Sequence, residues 1–134
     1  MSRTLTLLAA LALAGPAAAA EPALSGTYSS IVRDPDTGER DGVRILLRAD
    51  QPQPWLEFTL CEGDCQTSVS GPVTLQGQAI AFTVTEEWLN PGGRTHWRPT
   101  YRFEGRFVDG GLVLERSDRP GFTLQTLRRT GPAR

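Results

Sequence analysis

Residues 79–117, AIAFTVTEEWLNPGGRTHWRPTYRFEGRFVDGGLVLERS, decide the fold of this chain. Apolar and polar residues alternate with a period of two in three runs, which span residues 79–88, 97–108 and 111–117. This period is typical of β-strands that bury one face. Asp109-Gly110 is a tight hairpin signal between the last two runs. The stretch therefore predicts three neighbouring antiparallel strands.

The cross-strand register of this sheet can be tested on the sequence. If Trp88 stands opposite Trp97, apolar residues meet on one face of the sheet. The inner pairs are then Val84–Tyr101, Phe82–Phe103, Ile80–Gly105, Phe107–Leu112 and Gly105–Leu114, and the outer pairs are Glu87–Arg98 and Thr85–Thr100. Matched cross-strand pairs stabilise a sheet, and a slip of one residue would reverse every face. We predict this register.

The rest of the chain after residue 20 shows the same alternation and no three-turn helical pattern. The predicted strands cover residues 25–33, 43–49, 55–61, 65–71 with 73–76, 79–88, 97–108, 111–117 and 122–129. The pieces 65–71 and 73–76 count as one strand interrupted at Gly71-Pro72, because proline cannot donate to a sheet. Short connections favour neighbouring antiparallel strands. The predicted fold is all-β, a small antiparallel up-and-down β-barrel of about eight strands, with a β-sandwich as the alternative.

The predicted inward-facing residues are bulky and apolar. They are Tyr28, Val32, Val43, Ile45, Leu47, Leu56, Phe58, Leu60, Val69, Leu75, Ile80, Phe82, Val84, Tyr101, Phe103, Phe107, Leu112, Leu114 and Leu124. Eight strands enclose an interior that side chains can fill or that can hold one small ligand. This set favours a filled core with any cavity at one mouth of the barrel.

The start of the first strand, Leu24-Ser25-Gly26-Thr27-Tyr28, resembles the Gly-x-aromatic opening strand of calycin barrels such as avidins and lipocalins. This chain has Tyr where those proteins usually have Trp. The resemblance covers about five residues and the strand count. It implies a calycin-like barrel and transfers no functional residue.

The first twenty residues have the layout of a secretory signal peptide. Arg3 provides the positive charge, residues 5–14 form an apolar run, and Ala18-Ala19-Ala20 is an A-x-A cleavage site. A membrane-spanning helix needs roughly 20 apolar residues, so we expect no membrane anchor. The predicted organisation is a cleaved signal peptide over residues 1–20 and a single β-barrel domain over residues 21–134. The predicted location is periplasmic or secreted.

The charges of the chain are interspersed and give no basic stripe. Arg supplies all 14 basic residues, against 15 Asp and Glu, and there is no Lys. Removal of residues 1–20 takes away only Arg3 and leaves a net charge of −2. Nucleic-acid binders concentrate positive charge on one face. We therefore expect no nucleic-acid partner.

Cys61 and Cys65 are the two cysteines of the chain. An even, close pair in an exported chain predicts a disulfide, with a redox motif or a metal site that adds Asp64 or His96 as the alternatives. The hairpin around them allows two registers. Cys61 opposite Cys65 places Phe58 opposite Ser68, and Leu60 opposite Cys65 places Phe58 opposite Thr67.

Residues 86–98, EEWLNPGGRTHWR, contain two of the three Trp and the single His of the chain. Aromatic surfaces with a few convergent polar groups suit small ligands, and Trp and Arg are frequent interface anchors. The predicted ligand-binding residues are Trp88, Arg94, His96, Trp97, Arg98 and Tyr101. In the structural alternative, Trp88 and Trp97 close the end of the core, Glu87 and Arg98 form a surface ion pair, and His96 is solvated.

Two further groups of charged residues are candidate sites. Residues 34–38, DPDTG, with Asp41 could present carboxylates to calcium, but the spacing departs from an EF-hand and the residues are ordinary turn formers. Arg98, Arg102 and Arg106 share an outward strand face with Glu104, either as a patch for an acidic partner or as a solvated face. We expect no metal and no cofactor.

Enzymatic activity is not expected from this sequence. A G-x-S-x-G nucleophile motif is absent, and the neighbours Glu86 and Glu87 would face opposite sides of a strand. The leading hypothesis is a non-enzymatic exported binding protein that holds a small molecule at a barrel mouth lined by Trp and Arg. The alternatives are a protein-interaction module, such as a periplasmic inhibitor of a hydrolase, and a structural envelope domain. The small molecule or protein partner is not identified.

Overall fold

The computed structural model describes residues 23–66, 68–85, 88–89, 96–97, 100–118 and 124–132. These residues form strands and turns and contain no helix. The strands are β1 Gly26–Ser29, β2 Val32–Arg33, β3 Arg40–Arg48, β4 Trp55–Cys65, β5 Val69–Gln76, β6 Ala79–Thr85, β7 Trp88–Leu89, β8 His96–Trp97, β9 Thr100–Val108, β10 Gly111–Arg116 and β11 Gln125–Gly131.

Eight of these strands form a closed antiparallel barrel. β1, β3, β4, β5, β6, β9, β10 and β11 each pair with the next in chain order, and β11 pairs with β1. β2 continues β1 in the same register along β3. The prediction of an all-β up-and-down barrel is confirmed, and the sandwich alternative is wrong, because the pairing of β11 with β1 closes the sheet on itself.

The predicted register of the sheet over residues 79–117 is confirmed. The observed pairs are Trp88–Trp97, Thr85–Thr100, Val84–Tyr101, Phe82–Phe103, Ile80–Gly105, Gly105–Leu114 and Phe107–Leu112. A two-residue turn at Asp109-Gly110 joins β9 to β10, and Gly110 has a φ of 72°, a conformation that favours glycine. The predicted Glu87–Arg98 pair lies outside the described residues.

Aromatic side chains fill the middle of the barrel. Phe103 lies 5.1 Å from Phe58 and 5.2 Å from Phe82, measured between ring centroids. Of the predicted inward residues, those fully buried are Tyr28, Val43, Ile45, Leu47, Leu56, Phe58, Ile80, Phe82, Val84, Phe103, Phe107, Leu112 and Leu114, and those partly buried are Leu60, Val69, Leu75 and Tyr101. The core is therefore filled by protein side chains.

Two predicted core residues are exposed, and three buried apolar residues were not predicted. Val32 is 69% exposed because β2 pairs with β3 alone. Leu124 is 54% exposed and lies just before β11. In β11, Leu127 pairs with the buried Leu112 and faces inward, so Leu124, an odd number of residues away, has the outward parity. Both positions were wrongly predicted. The missed residues are Cys61, Leu127 and Val73, and Val73 has the parity of the predicted inward residues Val69 and Leu75 of β5.

The first predicted register of the cysteine hairpin holds beside the disulfide, where the Gln66 amide donates a 2.8 Å hydrogen bond to the Leu60 carbonyl oxygen. Both predicted registers are wrong at Phe58. Phe58 stands opposite Val69, and the Thr59 and Ser68 hydroxyl oxygens lie 2.7 Å apart. β4 remains paired with β3 as far as Gly63, which lies in the turn between the two cysteines, and the register between β4 and β5 shifts by one residue beyond that turn. β5 itself is continuous through Gly71-Pro72, as one strand rather than two.

One end of the barrel is covered by residues 23–25, which we call the strap, and we call this end the strap end. Leu24 packs against the core, and the Tyr28 hydroxyl donates a 2.7 Å hydrogen bond to the Leu24 carbonyl oxygen. Burial raises the pKa of Tyr28, and the positive charge of Arg129 opposes this shift. The strap thus covers a buried, neutral tyrosine.

Ser25 and Arg129 hold the strap against neighbouring strands. The Ser25 hydroxyl oxygen accepts hydrogen bonds from the backbone amides of residues 49–50, at 2.9 and 3.2 Å. The Arg129 guanidinium donates a 2.6 Å hydrogen bond to the Ser25 carbonyl oxygen. A Cβ atom at Gly26 would lie 2.8 Å from the Gly131 carbonyl oxygen, so this crossing of β1 and β11 requires glycine.

The opposite end of the barrel carries β7 and β8, and we call it the hairpin end. Strand β10 also finishes there, at Arg116, and the disulfide-bonded turn of β4 lies at the same end. The predicted signal peptide, residues 1–20, lies outside the described residues. Within the described ranges, no helix is long and apolar enough to span a bilayer.

Candidate functional site

The two strands β7 and β8 extend the barrel wall at the hairpin end. Their pairs, Trp88–Trp97 and Leu89–His96, keep the register of β6 and β9. At the last barrel pair, the hydroxyl oxygens of Thr85 and Thr100 lie 3.1 Å apart. β7 and β8 form a separate two-stranded sheet in this register, which we call the ribbon.

Tyr101 lies where the ribbon meets the barrel. It stands opposite Val84, is half-buried, and packs against the edge of the hydrophobic core. The Arg116 guanidinium carbon lies 4.0 Å from the centre of the Tyr101 ring. This distance is well within the range of cation–π contacts, which contribute about 0.5–1 kcal/mol at exposed sites.

Asp118 holds the Arg116 side chain in place. Arg116 Nε donates a 2.8 Å hydrogen bond to one Asp118 carboxylate oxygen, and the Arg116 side chain is 17% exposed. The hydrogen bond from Arg116 keeps the pKa of Asp118 below its ordinary value of 3.8. Tyr101, Arg116 and Asp118 thus form an ordered polar cluster at the mouth, which we call the rim cluster.

The structure brings together only part of the predicted site. Tyr101 lies in the rim cluster, and the backbones of Trp88, His96 and Trp97 lie in the ribbon beyond it. Arg94 and Arg98 fall outside the described residues. The predicted grouping of these residues at one barrel end remains a prediction for their side chains.

Sequence reasoning missed Arg116 and Asp118. Arg116 has the same strand parity as the inward residues Leu112 and Leu114, so its position does indicate a cation turned toward the mouth. Asp118 follows at a spacing of two residues in the turn after β10. An inward arginine at a strand end with a carboxylate close behind is the signal that could have identified the cluster.

The barrel beneath the rim cluster is occupied. Phe103 stands two positions along β9 from Tyr101 and is 5% exposed, and it packs on Phe58 and Phe82. Protein interiors are packed as densely as organic crystals, so a ligand could enter this level only by displacing side chains. The rim cluster is therefore a shallow surface.

The carboxylates of the acidic turn are used by the protein itself. Asp34 Oδ1 accepts hydrogen bonds from the amides of Asp36 and Thr37 at 2.8 and 3.0 Å, and these bonds lower the pKa of Asp34. Asp41 Oδ1 accepts a 3.1 Å hydrogen bond from the Gly63 amide. The described part of the chain contains no group of three or more residues that could hold a metal ion.

Cys61 and Cys65 form a disulfide with a Cα–Cα distance of 3.9 Å, which confirms the predicted bridge. Cys61 is 1% exposed, and Gly63 has a φ of 84° in the turn between the cysteines. A disulfide is typical of proteins in oxidising compartments. The bridge therefore stabilises one turn at the hairpin end and is compatible with an extracytoplasmic location.

The outward face of β9 matches its prediction where the structure describes it. Arg102, Glu104 and Arg106 are exposed along this strand, and the predicted third arginine of the patch, Arg98, lies outside the described residues. β6 contributes the small residues Ala79 and Ala81 to the neighbouring surface.

Together, the strands and the rim cluster define a closed eight-stranded up-and-down barrel with a filled core and a ribbon at one mouth. In comparisons with known proteins, the chain matches no protein-family model, no curated protein and no solved structure.

Proposed function

We propose that this chain is a non-enzymatic binding protein that works outside the cytoplasm and contacts a partner protein through its hairpin end. The observation that supports this proposal best is the shallow rim cluster above a filled core, with the ribbon beyond it. A partner that meets this end would contact side chains on a surface and would not enter the barrel. Protein partners are recognised in this way, through a few aromatic and Arg anchors.

The residues of the hairpin end suit such recognition. Tyr101 offers an aromatic ring with a polar tip, and Arg116 is held in one orientation by Asp118 and the Tyr101 ring. An ordered side chain loses less conformational entropy when a partner binds. The ribbon adds two Trp in direct register, at positions 88 and 97. Tyr, Trp and Arg are the residues most enriched in interface hot spots.

Export is part of the proposal. The signal-peptide layout of residues 1–20 and the Cys61–Cys65 disulfide both suit a periplasmic or secreted protein. A secreted hydrolase that the chain inhibits is one partner class that fits this proposal.

A small-molecule binding protein is the second candidate. The cation–π pair of Arg116 and Tyr101 favours it, because a half-buried guanidinium beside an aromatic ring can orient an anionic or planar ligand. Such a ligand would need a pocket formed between the ribbon and the rim cluster, since the barrel below Tyr101 is filled.

Site-specific photo-crosslinking tests the proposal and avoids amine reagents, which suit a chain without Lys poorly. A benzophenone amino acid replaces Leu89 in the ribbon, and a matched protein carries it at Thr126, an exposed position on β11. Both proteins are expressed in the organism that encodes the chain and purified after irradiation. We expect a discrete protein adduct at position 89 that disappears in Trp88→Ala and does not form at position 126.

Native mass spectrometry of the unirradiated protein separates the two candidates. A small-molecule adduct that is lost in Trp88→Ala, combined with no crosslink at position 89, would replace the protein-partner proposal with the second candidate. Crosslinks of equal yield at positions 89 and 126 would refute a specific role for the hairpin end.

A further inference from the structure

A groove on the outer wall of the barrel begins near the strap end, at the start of β6. Ala79 and Ala81 of β6 form its floor, between taller residues of β5 and β9, and the groove has a volume of 410 Å³. A neighbouring groove of 460 Å³ shares Ala81 and Thr74 with it, so the depression continues along β6. The groove exists because the outward residues of β6 are small while those of its neighbours are long.

Two carboxylates stand directly opposite each other on one wall of this groove. Glu104 of β9 pairs with Glu115 of β10, and both are exposed. Like charges in directly opposed positions destabilise an antiparallel sheet. Arg106 lies two residues along β9 on the same outward face, but it forms no ion pair with either carboxylate, and neither makes a side-chain hydrogen bond to a described residue.

An exposed apolar side chain completes the wall. Leu124 lines the groove and is 54% exposed, and Val113 of β10 lines it as well. The groove thus offers an apolar floor of two Ala, an apolar edge and two closely spaced negative charges. Arg106 also lines the groove, so the charged residues of the lining sum to −1. A long cationic side chain matches this pattern, because its methylene stem can lie on apolar surface while its charged head remains beside carboxylates.

We infer that this groove binds an extended segment of a protein partner that presents an Arg side chain between apolar residues. The guanidinium lies between Glu104 and Glu115 and relieves their repulsion, and its stem covers Ala79 and Ala81. An apolar neighbour of the Arg packs on Leu124. Arg is favoured over Lys because its planar fork can donate to two carboxylates at once. This surface is separate from the hairpin end and does not depend on the function proposed there.

The test uses two synthetic peptides that differ only in charge. Acetyl-Leu-Arg-Leu-amide is titrated into the isotope-labelled protein, residues 21–134, at low ionic strength. Acetyl-Leu-citrulline-Leu-amide is the neutral isostere of this peptide and serves as the control. We expect amide shift changes for the Arg peptide at residues 79–81, 104 and 113–115. The citrulline peptide binds about fivefold more weakly, because exposed ion pairs contribute 0.2–1 kcal/mol each.

Three variants decide the outcome. Glu104→Gln with Glu115→Gln should weaken the Arg peptide about fivefold, whereas Glu39→Gln with Glu62→Gln, which removes the same charge from exposed sites elsewhere, should leave the affinity unchanged. Ala81→Leu should abolish binding by filling the floor. The inference is overturned if both peptides bind equally, if both double variants act alike, or if the shifts map to Thr85, Thr100 and Tyr101 instead.

Discussion

The two ends of the barrel are finished in different ways. At the strap end, hydrogen bonds that involve the side chains of Ser25, Tyr28 and Arg129 hold three residues over the core. At the hairpin end, Arg116 lies over Tyr101 and is fixed by one carboxylate, while the ribbon extends beyond the wall. The strap end uses its polar groups to satisfy its own backbone, and the hairpin end keeps an aromatic ring and a cation at the surface.

This difference separates structural from functional roles. Polar groups that form hydrogen bonds with the backbone of their own protein are unavailable to a partner, and removing them lowers the free energy of unfolding. Side chains that contact one another at an exposed rim, as Arg116 and Asp118 do, can exchange such contacts for a ligand at small cost. Substitutions at the strap end should therefore affect mainly folding, and substitutions at the hairpin end should affect mainly binding.

The largest expected contrast is between the two tyrosines. Tyr28→Ala should lower the free energy of unfolding by about 4 kcal/mol, because it deletes a fully buried ring. Tyr101→Ala should cost about 2 kcal/mol or less, since that ring is half-buried. Urea unfolding of both variants measures the difference. Equal losses would show that the hairpin end is as structural as the strap end.

The disulfide should contribute less than Tyr28. Replacement of both Cys61 and Cys65 by Ala should lower the free energy of unfolding by about 2 kcal/mol at most, because the ring they close is short. The barrel should remain folded, with its near-ultraviolet circular dichroism retained. A cooperative loss of the whole fold would mean that the hairpin end depends on this bridge far more than the chain-entropy argument allows.

The Ser25 hydroxyl should show a smaller effect of about 1 kcal/mol. Ser25→Ala leaves the amides of residues 49–50 without their hydroxyl acceptor. Hydrogen exchange at these two amides should accelerate, while the Ser117 amide at the hairpin end, which donates to the Arg102 carbonyl oxygen, should be unaffected. Ser70→Ala, on the exposed face of β5, is the control. Unchanged exchange at residues 49–50 would contradict the anchoring role of the strap.

Extremes of pH should affect the two ends in opposite directions. The pKa values of Asp34 and Asp118, at the hairpin end, are lowered in the folded state. Their contributions to the free energy of unfolding are therefore present above pH 3.8 and are lost as the pH falls through the folded-state pKa values. The pKa of Tyr28, at the strap end, is raised in the folded state. Its contribution to the free energy of unfolding is therefore present below pH 10 and is lost as the pH rises through the folded-state pKa.

Nuclear magnetic resonance of the Tyr ring protons can follow this smallest effect. In acid the Tyr101 resonances should move as Asp118 releases Arg116, and Asp118→Asn should abolish that movement. In alkali, ultraviolet absorbance of Tyr101→Phe isolates the ionisation of Tyr28, because the chain contains two Tyr. Ionisation of Tyr28 at or below pH 10 would argue that the strap leaves it solvated.

The sequence predicted the fold best where alternation was uninterrupted. The register over residues 79–117 followed because apolar pairs could match in only one alignment, and Asp109-Gly110 specified the turn. The prediction of core residues failed where the alternation pattern was the sole evidence that a residue faces inward. Val32 has a core-like side chain but no second sheet neighbour, and Leu124 lies just outside its strand.

The site was predicted less completely than the fold. Trp88 and Trp97 could be paired because they continue a strong register, and Tyr101 follows them on the same strand. Arg116 was not recognised, because contact with an aromatic ring on the neighbouring strand depends on how the barrel end curves, which composition does not encode. The cysteine hairpin was aligned correctly beside the disulfide, but its register shifts by one residue before Phe58 pairs with Val69, and apolar alternation does not reveal such a shift.

The pairing of the first barrel strand with the last has a consequence for synthesis and folding. Ser25 and Arg129, which are 104 residues apart in sequence, are hydrogen-bonded across this junction. An N-terminal strand made early must wait with an unpaired edge until the C-terminal strand is released, and contacts of such long sequence separation slow folding. Until that moment the nascent sheet is open to pairing with other chains. A factor that shields the edge of β1 would therefore act on newly made chains and have no effect on the closed barrel.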